Sequence, residues 1–317
     1  MGQSLEVLDS IRLNFNEEGL LFLNLTIAFI MFGVALELRL DNFKRILLNP
    51  KPVFVGVASQ FIVMPAMSFL LVLILNPTPS VALGMILVAA CPGGNVSNFI
   101  SSIARGNVEL SVTLTSISDV SAIIMTPVNF AFWGGLYSAT STMVIPIEID
   151  FYEMVRIMIL LLAIPVTLGM VFSYYFSKLA AKIIKPTKIL SIIIFFSYII
   201  GALSLNFGYF LQYIHLIILI VLIHNALAFF TGYAMGRIFR LNVKNVRTVA
   251  IETGIQNSGL GLVIIFNPHL FNGLGGMAFI AAWWGIWHIV AGLTLAFFWS
   301  KRTKRAERMS AIHAKTE

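Results

Sequence analysis

Only two acidic residues lie deep within apolar stretches of this 317-residue chain, Asp119 and Glu252. A carboxylate at the centre of a bilayer costs about 2.5–3.5 kcal/mol even on a lenient insertion scale, so each marks a candidate site. Glu252 heads the run Glu252-Thr253-Gly254-Ile255-Gln256-Asn257-Ser258-Gly259, with Gln256 one turn on and Asn257 beside it. A second polar interruption, Cys91-Pro92-Gly93-Gly94-Asn95-Val96-Ser97-Asn98, ends in Ser97 and Asn98. Ser111 and Thr115 stand four residues apart and so share one helix face. Gln60 is a lone amide before Pro65. One carboxylate with hydroxyls, amides and unwound carbonyls, lacking thiolate or imidazole, suits a small hard cation. A single negative charge favours a monovalent ion, Na⁺, over Mg²⁺ or Ca²⁺, which recruit more carboxylates.

Several of these residues admit a plainer reading. Ser and Thr in membrane helices mostly bond their own backbone or a neighbouring helix. Ser111 and Thr115 alone, like Gln60 alone, therefore fit packing as well as ligation. Asp119 lies one turn beyond Thr115 on the same face and reads as a proton carrier, a substrate contact or a neutral hydrogen-bonded acid. His288, among Trp283, Trp284 and Trp287, reads as a packed interface residue or a ligand. Cys91, the single cysteine, excludes an intrachain disulfide and is most simply a small residue at a helix end.

The elements that must position these groups are membrane helices. Hydrophobic residues make up 58% of the chain, charged residues 11%, and mean hydropathy is +0.91. A soluble domain carries about a quarter charged residues. A span of ~20 residues fits the sequence nine times: 18–38, 52–75, 81–104, 108–135, 153–176, 189–208, 212–236, 248–271 and 275–299. The third and eighth contain the polar interruptions, and Pro127 and Pro165 predict kinks. Residues 1–16 lack an apolar core, which leaves the first span as the insertion signal. The net charge of +7 does not point to nucleic acid, because the basic residues cluster between apolar runs. All 21 Lys and Arg except Arg12 and Arg156 fall on one side, opposite the acidic loop with Glu148, Asp150 and Glu153. The positive-inside rule then predicts a cytoplasmic C-terminus, with a basic tail at 300–317, and an external N-terminus.

With this topology the two interrupted spans run in opposite directions, an inverted repeat with two broken helices crossing at mid-membrane. Hydrocarbon cannot satisfy a freed backbone, so such breaks persist only inside protein or beside a watery cavity. Paired interruptions in two halves of a chain point to the binding site of a secondary transporter.

The runs ACPGGNVSN, ARGNVELSVTLTS and IETGIQNSG, with IMFGVALEL at 30–38 and WHIVAG at 287–292, resemble the bile acid:sodium symporter family over nearly the whole chain. The resemblance implies an all-α membrane protein with a core domain (52–135 and 212–299) and a panel domain (18–38 and 153–208). It implies two sodium ions. The first site takes Ser97, Asn98, Ser111, Thr115 and Glu252. The second takes Gln60, Glu252, Gln256 and the carbonyls of Thr253 and Ile255. Departures from the family pattern fall at Asn95, at His288-Ile289 and at Asp119. The first two positions face the substrate cavity in relatives, so Asn95, Asn257, Asp119 and His288 are the candidate substrate contacts.

The resulting expectation is transport rather than catalysis. The chain reads as a sodium-coupled symporter of an organic anion, bile acid-like or a small carboxylate such as pantoate, working by alternating access in lipid of a bacterial cytoplasmic membrane. The rival reading is a proton-driven anion or arsenite-type exporter using Cys91. A membrane sensor lacks any signalling domain here.

Overall fold

The computed structural model describes residues 2–13, 17–36, 49–140, 150–205 and 207–313. Arg39, Lys44, Arg45, Glu148 and Lys315, the end of the first span and residue 206 of the sixth lie outside them. Among the described residues the chain is helical, with no strand beyond two isolated bridges. We number the helices α1 Gly2–Ser10, α2 Glu17–Ala35, α3 Pro50–Leu75, α4 Pro79–Ala90, α5 Val96–Ile103 and α6 Val108–Thr140. There follow α7 Phe151–Tyr175, α8 Ser177–Leu205, α9 Phe207–Ile238, α10 Val243–Gly254, α11 Ser258–Phe266 and α12 Gly275–His313. Among the described residues, α2, α3, α6, α7, α9 and α12 include segments long and apolar enough to cross a membrane.

Both interrupted stretches are broken in space. α4 stops at Ala90 and α5 resumes at Val96, while α10 stops at Gly254 and α11 resumes at Ser258. The Gly- and Pro-rich runs disfavour helix continuation. Other differences from the sequence reading have local causes. The basic residues after 300 are helical as far as His313, because α12 runs unbroken through a stretch of Lys, Arg, Ala and Glu, all good helix formers. Residues 2–10, too polar to span, form α1, whose Leu8 is fully buried and whose Asp9 carboxylate accepts from Ser80 N at 2.9 Å. Pro127 sits inside a continuous α6. Pro165 follows a widened π-helical turn, Ile159–Ala163, and Pro65 follows another, Ser59–Val63. A wider turn accommodates a proline that cannot donate an N–H to the preceding turn.

α2 packs along α7 and α8, and glycines set the approach. A Cβ on Gly169 of α7 would lie 2.6 Å from the Ala35 side chain, and one on Gly33 of α2 would lie 2.7 Å from Thr187 of α8. The remaining spans form a second packed group in which α9 lies against α10 and α4 against α12. In that group a Cβ on Gly232 would lie 2.6 Å from the Val249 carbonyl, and one on Gly84 would lie 2.8 Å from Met277 Cα. At the α12 extension, Arg105 pairs with Glu307 at 2.7 Å, and Arg247 donates to the Ala104 carbonyl and the Thr303 hydroxyl.

Candidate functional site

The two breaks cross as antiparallel extended segments. Gly94 N donates to the Ile255 carbonyl at 2.7 Å, Asn257 N donates to the Pro92 carbonyl at 2.8 Å, and Gly93 bridges Gln256. Each break thus satisfies part of the other's freed backbone, which hydrocarbon could not. Side chains take up further carbonyls. Thr126 donates to Ala90 at 2.8 Å, Gln60 to Cys91 at 2.9 Å, Asn225 to Gly254 at 2.8 Å and Gln256 to Thr253 at 2.8 Å. The absence of a side chain at Gly94 permits the crossing, since a Cβ there would lie 3.0 Å from the Gln256 carbonyl oxygen.

Glu252, in the last turn of α10 and 4% exposed, is the centre of an oxygen cluster. Ser97 of α5 donates to its Oε1 at 2.7 Å, Ser111 of α6 donates to the same oxygen, and Thr115 donates to Oε2 at 3.1 Å. Thr115 also reaches Asn98 Oδ1 at 3.3 Å, and Ser97 and Thr115 hydroxyls lie 3.4 Å apart. The five residues read from the sequence as one set are therefore neighbours, drawn from both breaks and α6. Thr113, between two of them, instead bonds the Glu109 carbonyl of its own helix at 2.8 Å.

Beside this cluster, Gln60 donates to Gln256 Oε1 at 2.9 Å. The π-helical turn also lets the adjacent Ser59 contact the crossing, through Thr253 Oγ1 at 2.9 Å. The Thr253 and Ile255 carbonyls each accept one bond, and a carbonyl oxygen keeps a second lone pair. Ser59, Thr126 and Asn225, which all join the crossing, are not among the residues that the sequence singles out. A lone Asn in the apolar span of α9 was the available signal for the last of these.

Asn95, Asn257 and His288 line one cavity of about 450 Å³ between α2, α8, α12 and the crossing. The first turns of α5 and α11 open onto it at Val96 and Ser258, and Asn257 Oδ1 caps α11 by accepting from Leu260 N at 3.1 Å. Helix N-termini present N–H groups and a partial positive charge. Ile27, Ile30, Met31 and Phe99 make much of the remaining wall apolar. Asp119 is not among the lining residues. Cys91 is fully buried, with its sulfur 3.6 Å from where a Cβ on Gly261 would stand. Among the described residues no group of three or more His, Cys, Asp or Glu could hold a metal ion.

The sequence model of the Sodium Bile acid symporter family matches residues 24–213, more than half of the chain. The chain belongs to this family. A Bacillus subtilis protein described as an uncharacterized sodium-dependent transporter is 30% identical over 90% of this chain and 85% of its own length. A probable chloroplastic sodium/metabolite cotransporter of Arabidopsis thaliana is 33% identical over 86% of this chain and 65% of its own, so here the chain spans just under two thirds of its relative. The hepatic sodium/bile acid cotransporter of Rattus norvegicus is 28% identical over 87% of this chain and 75% of its own. Family and relatives are sodium-dependent transporters and not enzymes, and the chain is a multi-pass membrane protein. The family match ends before Glu252, so the place of Glu252 in the oxygen cluster rests on geometry.

Proposed function

We propose that this protein is a sodium-coupled symporter of an organic anion that works by alternating access. The observation that carries this reading is the convergence of Ser97, Ser111 and Thr115 on Glu252, with Asn98 against Thr115, where two broken helices cross. Hydroxyl groups rotate, and each carries two lone pairs beside its proton. Turned inward, the same oxygens surround a sodium ion whose charge neutralises Glu252. A second ion takes Gln60, Gln256, Glu252 and the carbonyls of Thr253 and Ile255. Adding the two broken stretches and the α8 helix to the six long helices gives nine spans in an inverted repeat. The group α2, α7 and α8 is the panel, and the remaining spans are the core.

Substrate binds in the cavity between the two groups. Its carboxylate faces the N-termini of α5 and α11 beside Asn95 and Asn257, its apolar body lies against Ile27, Ile30 and Met31, and His288 contacts it from α12. Sodium holds the unwound segments in the arrangement that receives the anion, and this coupling of sites makes the transport symport. A small carboxylate or a bile acid-like anion both fit this description.

Uptake of radiolabelled metabolites into sealed vesicles tests the reading. Accumulation is expected with an inward sodium gradient and not with an equal potassium gradient. Accumulation driven equally by either gradient, or by protons alone, contradicts it. Within this scheme Ser111→Ala and Thr115→Ala each remove one oxygen ligand. A hydrogen bond to a charged group contributes about 1.5–3 kcal/mol, so each raises the sodium concentration for half-activation about tenfold or more. Thr113→Ser and Thr113→Ala leave it unchanged, because that hydroxyl bonds its own helix. Equal effects at all three positions indicate helix packing instead.

A further inference from the structure

Asp119 is the second carboxylate of the apolar interior, and the reading above gives it no work. It is fully buried, and neither Oδ1 nor Oδ2 has a hydrogen-bond partner. Glu252, by comparison, accepts from three hydroxyls. Buried carboxylates persist when they are paired, hydrogen-bonded or coordinate a cation, and Asp119 is neither hydrogen-bonded nor, among the described residues, in a salt bridge.

Its place in α6 is fixed by its neighbours along one face. Ser111, Thr115, Asp119, Ala122 and Thr126 follow one another at steps of four and three, so they form a single stripe. The first two bond Glu252 on α10, and the last bonds the Ala90 carbonyl at the end of α4. Asp119 and Ala122 therefore lie between the contacts with one broken helix and those with the other. Val120, Ile124 and Val128 form the exposed stripe of the same helix, 39%, 66% and 41% exposed. The titratable groups on elements packed against α6 are Lys51 on α3, Tyr152, Glu153, Arg156, Tyr174 and Tyr175 on α7, Lys244, Arg247 and Glu252 on α10, and Cys91 after α4. None of them bonds Asp119.

We propose that Asp119 is the carboxylate of an additional cation site, one turn beyond the Glu252 cluster on α6, taking a small monovalent cation, either a sodium ion or a proton. The inference rests on the symport reading for the role of Glu252. It adds a second negative charge to the ion machinery at the crossing, so that the occupancy of one site alters the affinity of the other.

Equilibrium binding of radioactive sodium to the purified full-length protein, measured from acidic to alkaline pH, tests it with sodium alone. Wild type is compared with Asp119→Asn, Asp119→Ser and Glu252→Gln, each first checked for a single monodisperse species. If the occupant is sodium, wild type binds one more ion per protein at saturation than either Asp119 variant. If the occupant is a proton, the counts agree, but sodium affinity weakens several-fold more on acidification in wild type than in the Asp119 variants. Equal counts with superimposable pH dependence overturn the proposal. A wild type that binds no sodium at any pH, or a Glu252→Gln variant that binds as wild type does, overturns the symport reading instead, so the two failures are distinguishable.

Discussion

Glu252→Gln abolishes sodium-dependent uptake and sodium-dependent thermal stabilisation while leaving the protein folded. The side chain supplies the one full negative charge shared by both proposed sodium sites, and a neutral amide cannot neutralise a cation in a medium of low dielectric constant. The fold tolerates the change because the amide keeps an oxygen for the Ser97 and Ser111 hydroxyls, and a neutral group is cheaper than a charge at this depth. Unfolding temperatures in detergent therefore match or exceed wild type without sodium, and stop responding when sodium is added. A ligand present at a hundred times its Kd stabilises a folded protein by about 2.7 kcal/mol, so the missing response is readily measured. An undiminished rise in melting temperature with sodium rules out this role for Glu252.

Gly94→Val is the second substitution with a large expected effect, and it acts through the backbone rather than the charge. A Cβ at this position lies 3.0 Å from the Gln256 carbonyl oxygen and 3.3 Å from its carbonyl carbon, both main-chain atoms that cannot swing aside. The crossing segments must separate, which strains or breaks the Gly94–Ile255 hydrogen bond and, next to it, the bond from Asn257 to Pro92. Overpacking costs about 1–3 kcal/mol, and each buried polar group left without a partner adds about 1–3 kcal/mol more. The variant is expected to melt well below wild type and to lose sodium-dependent stabilisation, because Ser97 and Glu252 belong to the two segments that are forced apart. Gly135→Val is the control, since nothing lies within 4 Å of a Cβ there, and it should behave as wild type in both assays.

How much of this was legible in the sequence depends on the range of the interaction. The helix breaks were legible because glycine and proline runs disrupt a helix locally, whatever surrounds them. Glu252 was legible because a carboxylate in an apolar span is costly wherever its partners are. The grouping of Ser111 with Thr115 followed from the helical period. What escaped was decided by contacts between distant segments. The partners of the freed carbonyls, Thr126 and Asn225, are 36 and 29 residues from the groups they satisfy, and although a lone Asn in an apolar span stands out, nothing local says which carbonyl it meets. The π-helical turn at Ser59–Val63, which brings both Ser59 and Gln60 to the crossing, depends on Pro65 and on packing together. The basic residues after 300 read as a tail because charge ends a span, yet charge does not end a helix, and α12 continues. Asp119 was found by its cost, while its absence from the cavity wall became visible only in three dimensions.

The most direct test is a high-resolution experimental structure determined twice, once in saturating sodium and once with sodium replaced by a large organic cation. A density peak ringed by Ser97, Asn98, Ser111, Thr115 and Glu252 in sodium, and absent without it, is the predicted result. If both structures instead keep the three hydroxyls donating to Glu252, with no sodium-dependent peak among them, the cluster is a structural hydrogen-bond network and the account is contradicted.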